Sequence, residues 1–501
     1  MAESTLQPRE VMSEFRTDTD VLIVGAGPVG LFLANECARR GLRWWLVEER
    51  ASQSAHSKAL AIFPRTFEIF DMAGIAAPFL EWANQVTWVA IVAHRRRLAR
   101  IRFAPEESPY PFVAMVPQDV TERLLVEQLR RKGGTVAYET AFVTAIQQPD
   151  HVRIALKRGG EKLELTAAFV VGCDGAHSAV RHLLNLRFEG SQYDASFMLA
   201  DVETNEALPA DELQLCPSEF GPLAIFPMSA RRRRIVATVQ SAEQEAPSLD
   251  RVQKLLAQRA PNGIEARAVH WSSFFRVHHR QVARLRDGRI FLAGDAAHVH
   301  SPFGGQGMNT GLQDAWNLVW KLDLAVRGCG SEQLLDSYSA ERRPVIKSVI
   351  RTTHFMTTAL GTPSKFAQAI RDTVIPVVSR LAPFQRAFVQ RLSQLGVAYH
   401  GSPVIKGTGL RYFDESFRGG KGICSRYLLL LHGDSSPSIK AAAQQLAGEY
   451  PDVVEVRLTR RPGMTLLRPD GYVASSTPAR LKAFDVVRLL LKNQSRSRTA
   501  G

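Results

Sequence analysis

The spacing of apolar and polar positions divides the chain into blocks of different character. Asp20-Val21-Leu22-Ile23-Val24 is a short, almost wholly apolar run of the kind buried on both faces of a parallel sheet. It gives way at once to glycines and then to a helical pattern (Leu31, Leu33, Ala34, Cys37, Ala38) that closes with Arg39-Arg40-Gly41. Trp44 to Val47 predicts the next buried strand, and Glu48-Glu49 ends it. A loop through Lys58 leads into a helix near Pro64 to Phe70. Val86 to Ala93 and Leu98 to Phe103 predict two strands joined through His94-Arg95-Arg96-Arg97. Val120, Leu124, Leu125 and Leu129 recur at helical spacing over Gln118 to Arg131, and Val136 to Ile146 and Val152 to Leu156 alternate as a meander. Phe169 to Gly172 is a further buried strand, stopped at Asp174-Gly175 and restarted as a helix.

From residue 186 to about 274 the pattern changes. Short strands (Phe197 to Val202, Leu223 to Pro227, Ile235 to Gln240, Ala266 to Phe274) alternate with polar turns, which predicts a mostly antiparallel layer apart from the nucleotide-type fold. Arg289 to Ala293 is again an apolar strand. It runs into Gly294-Asp295, then Pro302 and the glycines 304, 305 and 307, and then an amphipathic helix to about Val326 with Leu312, Ala315, Leu318, Val319 and Leu322 on one face. Helical segments dominate to about residue 400. The last hundred residues predict a small α/β unit of thioredoxin-like order: strand (Tyr427 to Leu431), helix (Ile439 to Leu446), strand (Val453 to Leu458), a hairpin about Pro469-Asp470-Gly471, and a closing helix (Ala479 to Leu491). The fold class expected is therefore α/β: a Rossmann-type domain over 19–185 and 275–400, an inserted antiparallel layer over 186–274 that also takes the 86–103 hairpin, a thioredoxin-like domain over 401–501, and a disordered start over 1–18.

At 501 residues with 45% hydrophobic and 22% charged, the chain is long enough for two or three domains with a sizeable core. No apolar run is long enough to span a bilayer and the N-terminal stretch lacks an apolar core, so a cytoplasmic protein is expected. The five cysteines (Cys37, Cys173, Cys216, Cys329, Cys424) form no CxxC pair; no metal site and no thiol-disulfide chemistry is expected, and each reads as a small buried hydrophobe. A formal charge of +14 raises the question of nucleic acid. The basic runs Arg95 to Arg97 and Arg231 to Arg234 fall where hairpin tips belong, with no aromatic platform beside them. They are read as solvated turns, and nucleic acid is not expected as a partner.

The chemistry lies in three stretches. Gly25-Ala26-Gly27-Pro28-Val29-Gly30 is a GxGxxG in its required setting, strand before and helix after, so that backbone approaches a pyrophosphate that the helix N-terminus stabilises. Glu48 follows Gly30 by 18 positions, the spacing at which a carboxylate meets an adenosine ribose hydroxyl. Asp174 stands at a strand's carboxyl end, where open α/β sheets bind ligands, although a carboxylate there also caps the helix that follows.

Taken with Gly294-Asp295 and the run Gly304-Gly305-Gln306-Gly307-Met308-Asn309, the order of these motifs over residues 18 to 350 resembles the single-component FAD-dependent aromatic hydroxylases, the para-hydroxybenzoate and phenol hydroxylase family of group A flavoprotein monooxygenases. Arg468-Pro469-Asp470-Gly471-Tyr472-Val473 resembles the tail of the subgroup that carries a thioredoxin-like C-terminal domain. The resemblance implies FAD held by Gly25 to Gly30 and by Glu48-Glu49, and Asp295, after Gly294, accepting from the ribityl hydroxyls. It implies Gln118 beside the ribityl or phosphate region, and Pro302, Gly305 and Gly307 against the flavin ring with the helix N-terminus at Met308-Asn309 facing the flavin N1 edge. Asp174-Gly175 would serve both FAD and a transiently docked NAD(P)H. Lys58 stands where many members have arginine, keeping the charge but losing the planar fork. The reaction implied is external monooxygenation: NAD(P)H reduces the flavin, O2 adds at flavin C4a, and the hydroperoxide's terminal oxygen attacks an electron-rich aromatic ring. The alternatives are a flavin-dependent epoxidase or reductase acting on an alkene, quinone or isoprenoid, and a non-catalytic flavin-binding module.

No catalytic acid or base stands out by spacing. His298 and His300 read as structural, the charged group Arg276, His278, His279 and Arg280 as either an anchor or a solvated cluster, and Leu223 to Met228 as either a pocket wall or a core strand. The C-terminal domain is expected to mediate self-association or to cover the core.

Overall fold

The computed structural model describes residues 17–54, 58–206, 208–240, 245–421 and 425–494. The expectation for the chain's start falls mostly on residues 1–16 and lies outside the described residues, as does Cys424.

Four apolar runs become neighbouring parallel strands. Thr19–Val24, buried throughout, pairs in parallel with Trp44–Val47 on one side and with Glu161–Gly172 on the other, and Glu161–Gly172 pairs in parallel with Ile290–Leu292. Because these strands run the same way, the chain leaves them at one edge of the sheet. Gly25, Cys173 to Gly175 and Gly294-Asp295 therefore meet there although they are far apart in sequence. The meander Thr140–Gln147, Val152–Arg158 and Glu161–Gly172 and the short strand Arg286–Asp287 complete this seven-stranded sheet. Helices Pro28–Arg39 and Gly307–Val326 pack together against it, with Phe32 and Trp316 rings 6.2 Å apart.

The second layer is an eight-stranded sheet, antiparallel except where Trp88–Ala93 pairs in parallel with Glu212–Cys216. The hairpin of Trp88–Ala93 and Arg96–Arg102 belongs to it. Its two longest strands, Phe188–Thr204 and Ala266–Val282, pair along most of their length, and the second runs on past residue 274. At its edge Arg280 and Gln281 pair with Val299 and His298, so the segment after Gly294-Asp295 stitches the second sheet to the first.

One sequence expectation fails in this layer. The run Arg231 to Arg234 is not a solvated turn: Arg232–Val239 is a strand, and Arg233 and Arg234 are 1% and 2% exposed. Each buried guanidinium has acceptors within reach, Leu208 O and Ala230 O for Arg233 and the Asp201 carboxylate at 2.6 and 2.8 Å for Arg234. Burial of a charge with that many partners overrides the polar pattern.

Helices Glu332–Leu360, Lys365–Val378 and Ala382–Ser393 follow. The C-terminal unit has a four-stranded sheet in which Tyr427–His432 pairs in parallel with Val454–Thr459 and antiparallel with Met464–Leu467, which pairs in turn with Val473–Thr477. Helix Pro437–Glu449 crosses between the first two strands and Ala483–Gln494 closes the chain. This is the thioredoxin strand order, with the connection between the second and third strands reduced to a turn at 460–463.

A cofactor site between two sheets

The strand-to-helix turn at Gly25 is forced by packing. Gly25 has φ +101°, and a Cβ there would come within 2.6 Å of Cys173 O; a Cβ on Gly30 would sit 1.9 Å from Gly25 O. A Cβ on Gly27, by contrast, would meet nothing within 4 Å. Gly25 and Gly30 bring helix and strand together, and Gly27 faces open space at the helix N-terminus. Pro28 occupies the first helical turn, and the Gly27 cap position supplies no side chain to the free N–H groups, which leaves them for an anion.

That space is part of a cavity of about 500 Å³ running from Gly27 to the eight-stranded sheet. Of the residues expected to bind cofactor, Gly27, Pro28, Val29, Lys58, Gln118, Gly175, Asp295, Pro302, Gly305, Gly307 and Met308 line it. Gly25, Ala26, Gly30, Glu48, Asp174, Gly294 and Asn309 stand behind the wall, and Glu49 lies on the surface.

The residues behind the wall have identifiable duties. Glu48 is buried and accepts from Ala26 N–H at 2.8 Å and from Arg50 Nε at 2.9 Å. Burial pushes its carboxyl up, but the Arg50 and Ala26 hydrogen bonds outweigh that and hold it below the ordinary value. Asn309 is a staple: Oδ1 accepts from Phe63 N–H at 2.9 Å, and Nδ2 donates to Ala61 O and Gly305 O at 2.8 and 3.1 Å. It thereby fixes the strand Ala61–Ile62 and the Gly305 turn on one helix end. Gly294 N–H donates to Asp314 Oδ2 at 3.1 Å, and the same oxygen binds His298 Nε2 at 2.7 Å while Oδ1 takes Arg342 Nε at 2.7 Å. Burial works against the charge of Asp314, but the Arg342 guanidinium and the hydrogen bonds from His298 and Arg342 hold its carboxyl below the ordinary value.

Asp295 projects from the one-turn helix Gly294–Ala296 into the cavity. Surrounding protein disfavours its charge and raises its pKa, while His298 and Lys58 act in the opposite direction. His300 also lines the cavity. Burial, then the neighbouring His298, push its pKa down to about 4, so it is a neutral imidazole at physiological pH. With Nδ1 3.1 Å from Ser301 O, its donor is used on the backbone and Nε2 is left as an acceptor. Asp174 divides its oxygens: Oδ2 accepts from Val180 N–H at 3.2 Å, capping the helix Ala179–Leu183, and Oδ1 has no partner. Burial raises its pKa, and hydrogen bonds from Ser178 and the helix backbone pull it back.

Sequence reasoning passed over several wall residues. Glu122, almost fully buried, bonds Gln118 Nε2 at 2.9 Å through Oε1 and leaves Oε2 unpartnered; it lies one helical turn from Gln118, a spacing that signals a shared face. Arg50, two positions after Glu48, lines the same end. Arg234 carries no sequence signal. Through Nη1 it donates to Lys58 O and Ala59 O at 3.1 and 2.9 Å, tying the eight-stranded sheet to the Lys58 loop. Lys58 Nζ stands 5.6 Å from the Phe275 ring centre. Arg276 opens on the cavity, whereas the side chain of His278 lies outside the described residues.

At the far end the wall is apolar: Leu199, Phe226, Val236 and Phe275. Behind it Phe197 stacks on Phe275 with ring centres 5.8 Å apart and meets Phe303 at 5.9 Å. The cavity thus has a phosphate-type cradle at one end, acceptors for a polyol at its middle, glycine backbone beside that, and an aromatic wall at the other end. The unpartnered Oδ1 of Asp174, Oε2 of Glu122, Nε2 of His300 and Nε2 of Gln306, with the open space at Gly27, fit a long polar cofactor such as FAD. Among the described residues no cluster of His, Cys, Asp or Glu has the arrangement of a metal site.

Comparison with known proteins agrees. Residues 18–353 match the FAD binding domain family. The chain is 31% identical to 6-methylpretetramide 4-monooxygenase of Streptomyces rimosus over 91% of its own length and 90% of that protein's. It is 32% identical to an uncharacterized aromatic compound monooxygenase of Bacillus subtilis, with 95% and 97% of the two chains covered. The structure of OxyS anhydrotetracycline hydroxylase from Streptomyces rimosus superposes with a TM-score of 0.75 at 29% identity, covering 92% of this chain and 96% of that one. Nucleotide fold, inserted sheet and sequence point one way: the chain belongs to the FAD-dependent aromatic hydroxylase family of flavoprotein monooxygenases.

Proposed function

We propose that this enzyme uses NAD(P)H and O2 to hydroxylate a phenolic or polyketide-like aromatic substrate, and that Gly25 to Gly30, Glu48, Lys58, Gln118, Asp174-Gly175, Gly294-Asp295 and Pro302 to Asn309 form the cofactor site. The observation that carries the reading is the continuity of one cavity from Gly27 and Asp295 to Phe226 and Phe275. A substrate ring placed against that wall shares a space with the cofactor. The relatives support the substrate class, since those named act on 6-methylpretetramide and anhydrotetracycline.

Bound FAD supplies the two-electron acceptor for NAD(P)H and the means of activating O2. The chain's own residues bind, orient and exclude. Free N–H groups at the start of Pro28–Arg39 receive the pyrophosphate, with Gly27 leaving the room. Asp295 accepts from the ribityl hydroxyls, and Asp314 and His298 fix the turn that carries it. The N-terminus of Gly307–Val326 presents partial positive charge to the ring edge where reduction places negative charge. Neutral His300 offers an acceptor without adding positive charge at that edge. The wall of Phe226, Val236 and Phe275 keeps water from the reacting ring. Arg276, which opens on the cavity, favours the anionic form of a phenol bound there, the more nucleophilic form, with the proton passing to solvent water. The free cysteines and the dependence on a nicotinamide cosubstrate fit a cytoplasmic enzyme. The exposed Leu458, Leu481 and Leu489 support self-association through the C-terminal unit.

The test is NADPH oxidation by the purified yellow enzyme against a panel of phenols, aromatic acids and polycyclic polyketides, with isotopic O2 and mass spectrometry of the product. Substrate-stimulated oxidation with one labelled oxygen in the product is expected. Turnover without label would make the enzyme a reductase, and a flavin never reduced by NAD(P)H would make it a binding module.

A further inference from the structure

Helix Lys365–Val378 turns the usual amphipathic arrangement outward. Its one fully buried residue is Gln368, while Phe366, Ile370, Val374 and Val377 are 76%, 49%, 46% and 62% exposed. Their spacing puts all four on one face. Phe355, Leu381 and Phe384 on the flanking segments are exposed as well. A stripe of this size on a described surface marks a contact with something apolar.

The charges around it say what. Helix Lys365–Val378 packs against strand Arg96–Arg102, and His94 Nε2 at the tip of that hairpin stands 3.1 Å from Asp372 Oδ2 on the helix. That contact uses the helix face turned away from the apolar stripe, which stays uncovered. Lys365, Arg380 and Arg386 are exposed along the same segment. The acids bonded to these helices are occupied, Asp372 also by Arg371 at 2.8 Å and Glu107 by Gln390 at 3.2 Å. A second copy docked face to face would set these basic groups against each other. An anionic amphiphilic surface satisfies both the stripe and its basic rim.

We propose that this face docks peripherally on bilayers containing anionic phospholipids, with Phe366, Ile370, Val374 and Val377 in the headgroup–acyl boundary and Lys365, Arg380 and Arg386 at the phosphates. No described helix is long and apolar enough to cross a membrane, so the contact lies on the surface. The preceding helix, Glu332–Leu360, reaches the cofactor loop, where Thr357 Oγ1 meets Ser301 Oγ at 2.9 Å. Docking therefore sets the cavity near a reservoir of sparingly soluble aromatic compounds; this last clause rests on the proposed function, and the docking does not.

Full-length FAD-loaded enzyme is sedimented with vesicles of phosphatidylcholine and of phosphatidylcholine mixed with phosphatidylglycerol. Preferential partition onto the anionic vesicles, weakened by salt, is expected. Lys365→Ser with Arg380→Ser should lower that partition by roughly 25-fold, about five-fold per charge removed near an anionic surface. Phe366→Ser with Val377→Ser should abolish it while flavin content and circular dichroism stay unchanged. Equal or absent partition onto both vesicle types overturns the proposal, as does indifference to both double variants. A concentration-dependent dimer that Phe366→Ser with Val377→Ser dissolves, in an enzyme that ignores vesicles, reassigns the face to self-association.

Discussion

Two buried polar clusters in this molecule look alike in composition and differ in what they leave unpaired. One joins the C-terminal unit to the core: Glu341 accepts from Arg468 at 2.6 and 2.9 Å, from Lys321 at 2.9 Å, from Asn317 at 2.7 Å and from Ser402 at 2.6 Å, and Arg468 also holds Asp470. None of Glu341, Arg468, Lys321, Asn317 or Asp470 keeps an unpartnered buried atom. The other lies around the cavity, where Asp174, Glu122, His298, His300 and Gln306 each keep one. A closed cluster is complete within the fold, whereas an open one is complete only with a ligand. The difference is the one expected between a brace and a binding site.

The comparison breaks most visibly at Glu341. Burial acts against its charge, yet Arg468 and Lys321 hold it far below the usual carboxylate range, and burial brings Lys321 down to about 8 against the pull of Glu341. Glu341→Ala leaves two buried cations facing each other, and a loss of about 3–5 kcal/mol is expected in chemical denaturation. FAD affinity of the remaining folded protein should not change. A loss under about 1 kcal/mol would mean that water or a rearranged partner replaces the carboxylate, and the cluster would not be a brace.

The open cluster should show itself in acid. His300 has a folded pKa of about 4 against roughly 6.5 unfolded. The unfolded chain therefore takes up a proton in that interval and the folded one does not. The contribution of this group is complete above the unfolded value and is lost as pH falls from about 6.5 towards 4, at up to ~1.4 kcal/mol per unit and about 3 kcal/mol in all. His300→Gln should flatten the pH dependence of apoprotein stability over that window. Equal slopes for both proteins would place the imidazole in contact with water.

Much of this site was legible in the sequence, for a physical reason. Gly25 to Gly30, Asp174-Gly175 and Gly294-Asp295 are chain exits from apolar strands, and parallel strands with buried faces leave few ways to arrange their ends. Motif and place are therefore the same information. The fold class was legible too, down to the hairpin in the second sheet and the thioredoxin order of the tail. Arg234 was not legible: its position in a basic run resembled a turn, and only the Asp201 fork, brought in by pairing of Phe188–Thr204 with Arg232–Val239, shows it to be interior. Nor was the duty of Asn309, which the motif marks as a cofactor residue and the structure commits to backbone. The inserted layer continues past residue 274 because Ala266–Val282 is one unbroken strand of the second sheet.

Asp295→Ala sharpens the comparison from the ligand side. Removal of a charge-assisted acceptor should weaken FAD by about 1.5–3 kcal/mol, or roughly 10- to 150-fold in Kd, read by flavin fluorescence on reconstitution. Because Asp295 is an exposed side chain of the fold, the apoprotein should be no less stable without it. Unchanged flavin content would sink the assignment, and a less stable apoprotein with full affinity would make Asp295 a brace like Glu341.

Asp174 belongs to both kinds of cluster, which makes the smallest expected effect the most discriminating. Its Oδ2 caps the helix Ala179–Leu183 and its Oδ1 is open. Asp174→Ala removes both functions and should cost about 1 kcal/mol of stability, the ordinary worth of a cap. Asp174→Asn keeps an acceptor for Val180 N–H and replaces the open oxygen with a donor. If the open oxygen serves FAD or the docked nicotinamide, Asp174→Asn should retain stability within a few tenths of a kcal/mol while flavin affinity or the rate of NAD(P)H-driven reduction in stopped flow falls. If both are unchanged in Asp174→Asn and only stability falls in Asp174→Ala, Asp174 is a helix cap at the end of a strand, and the unpaired oxygen beside the cavity needs a different partner.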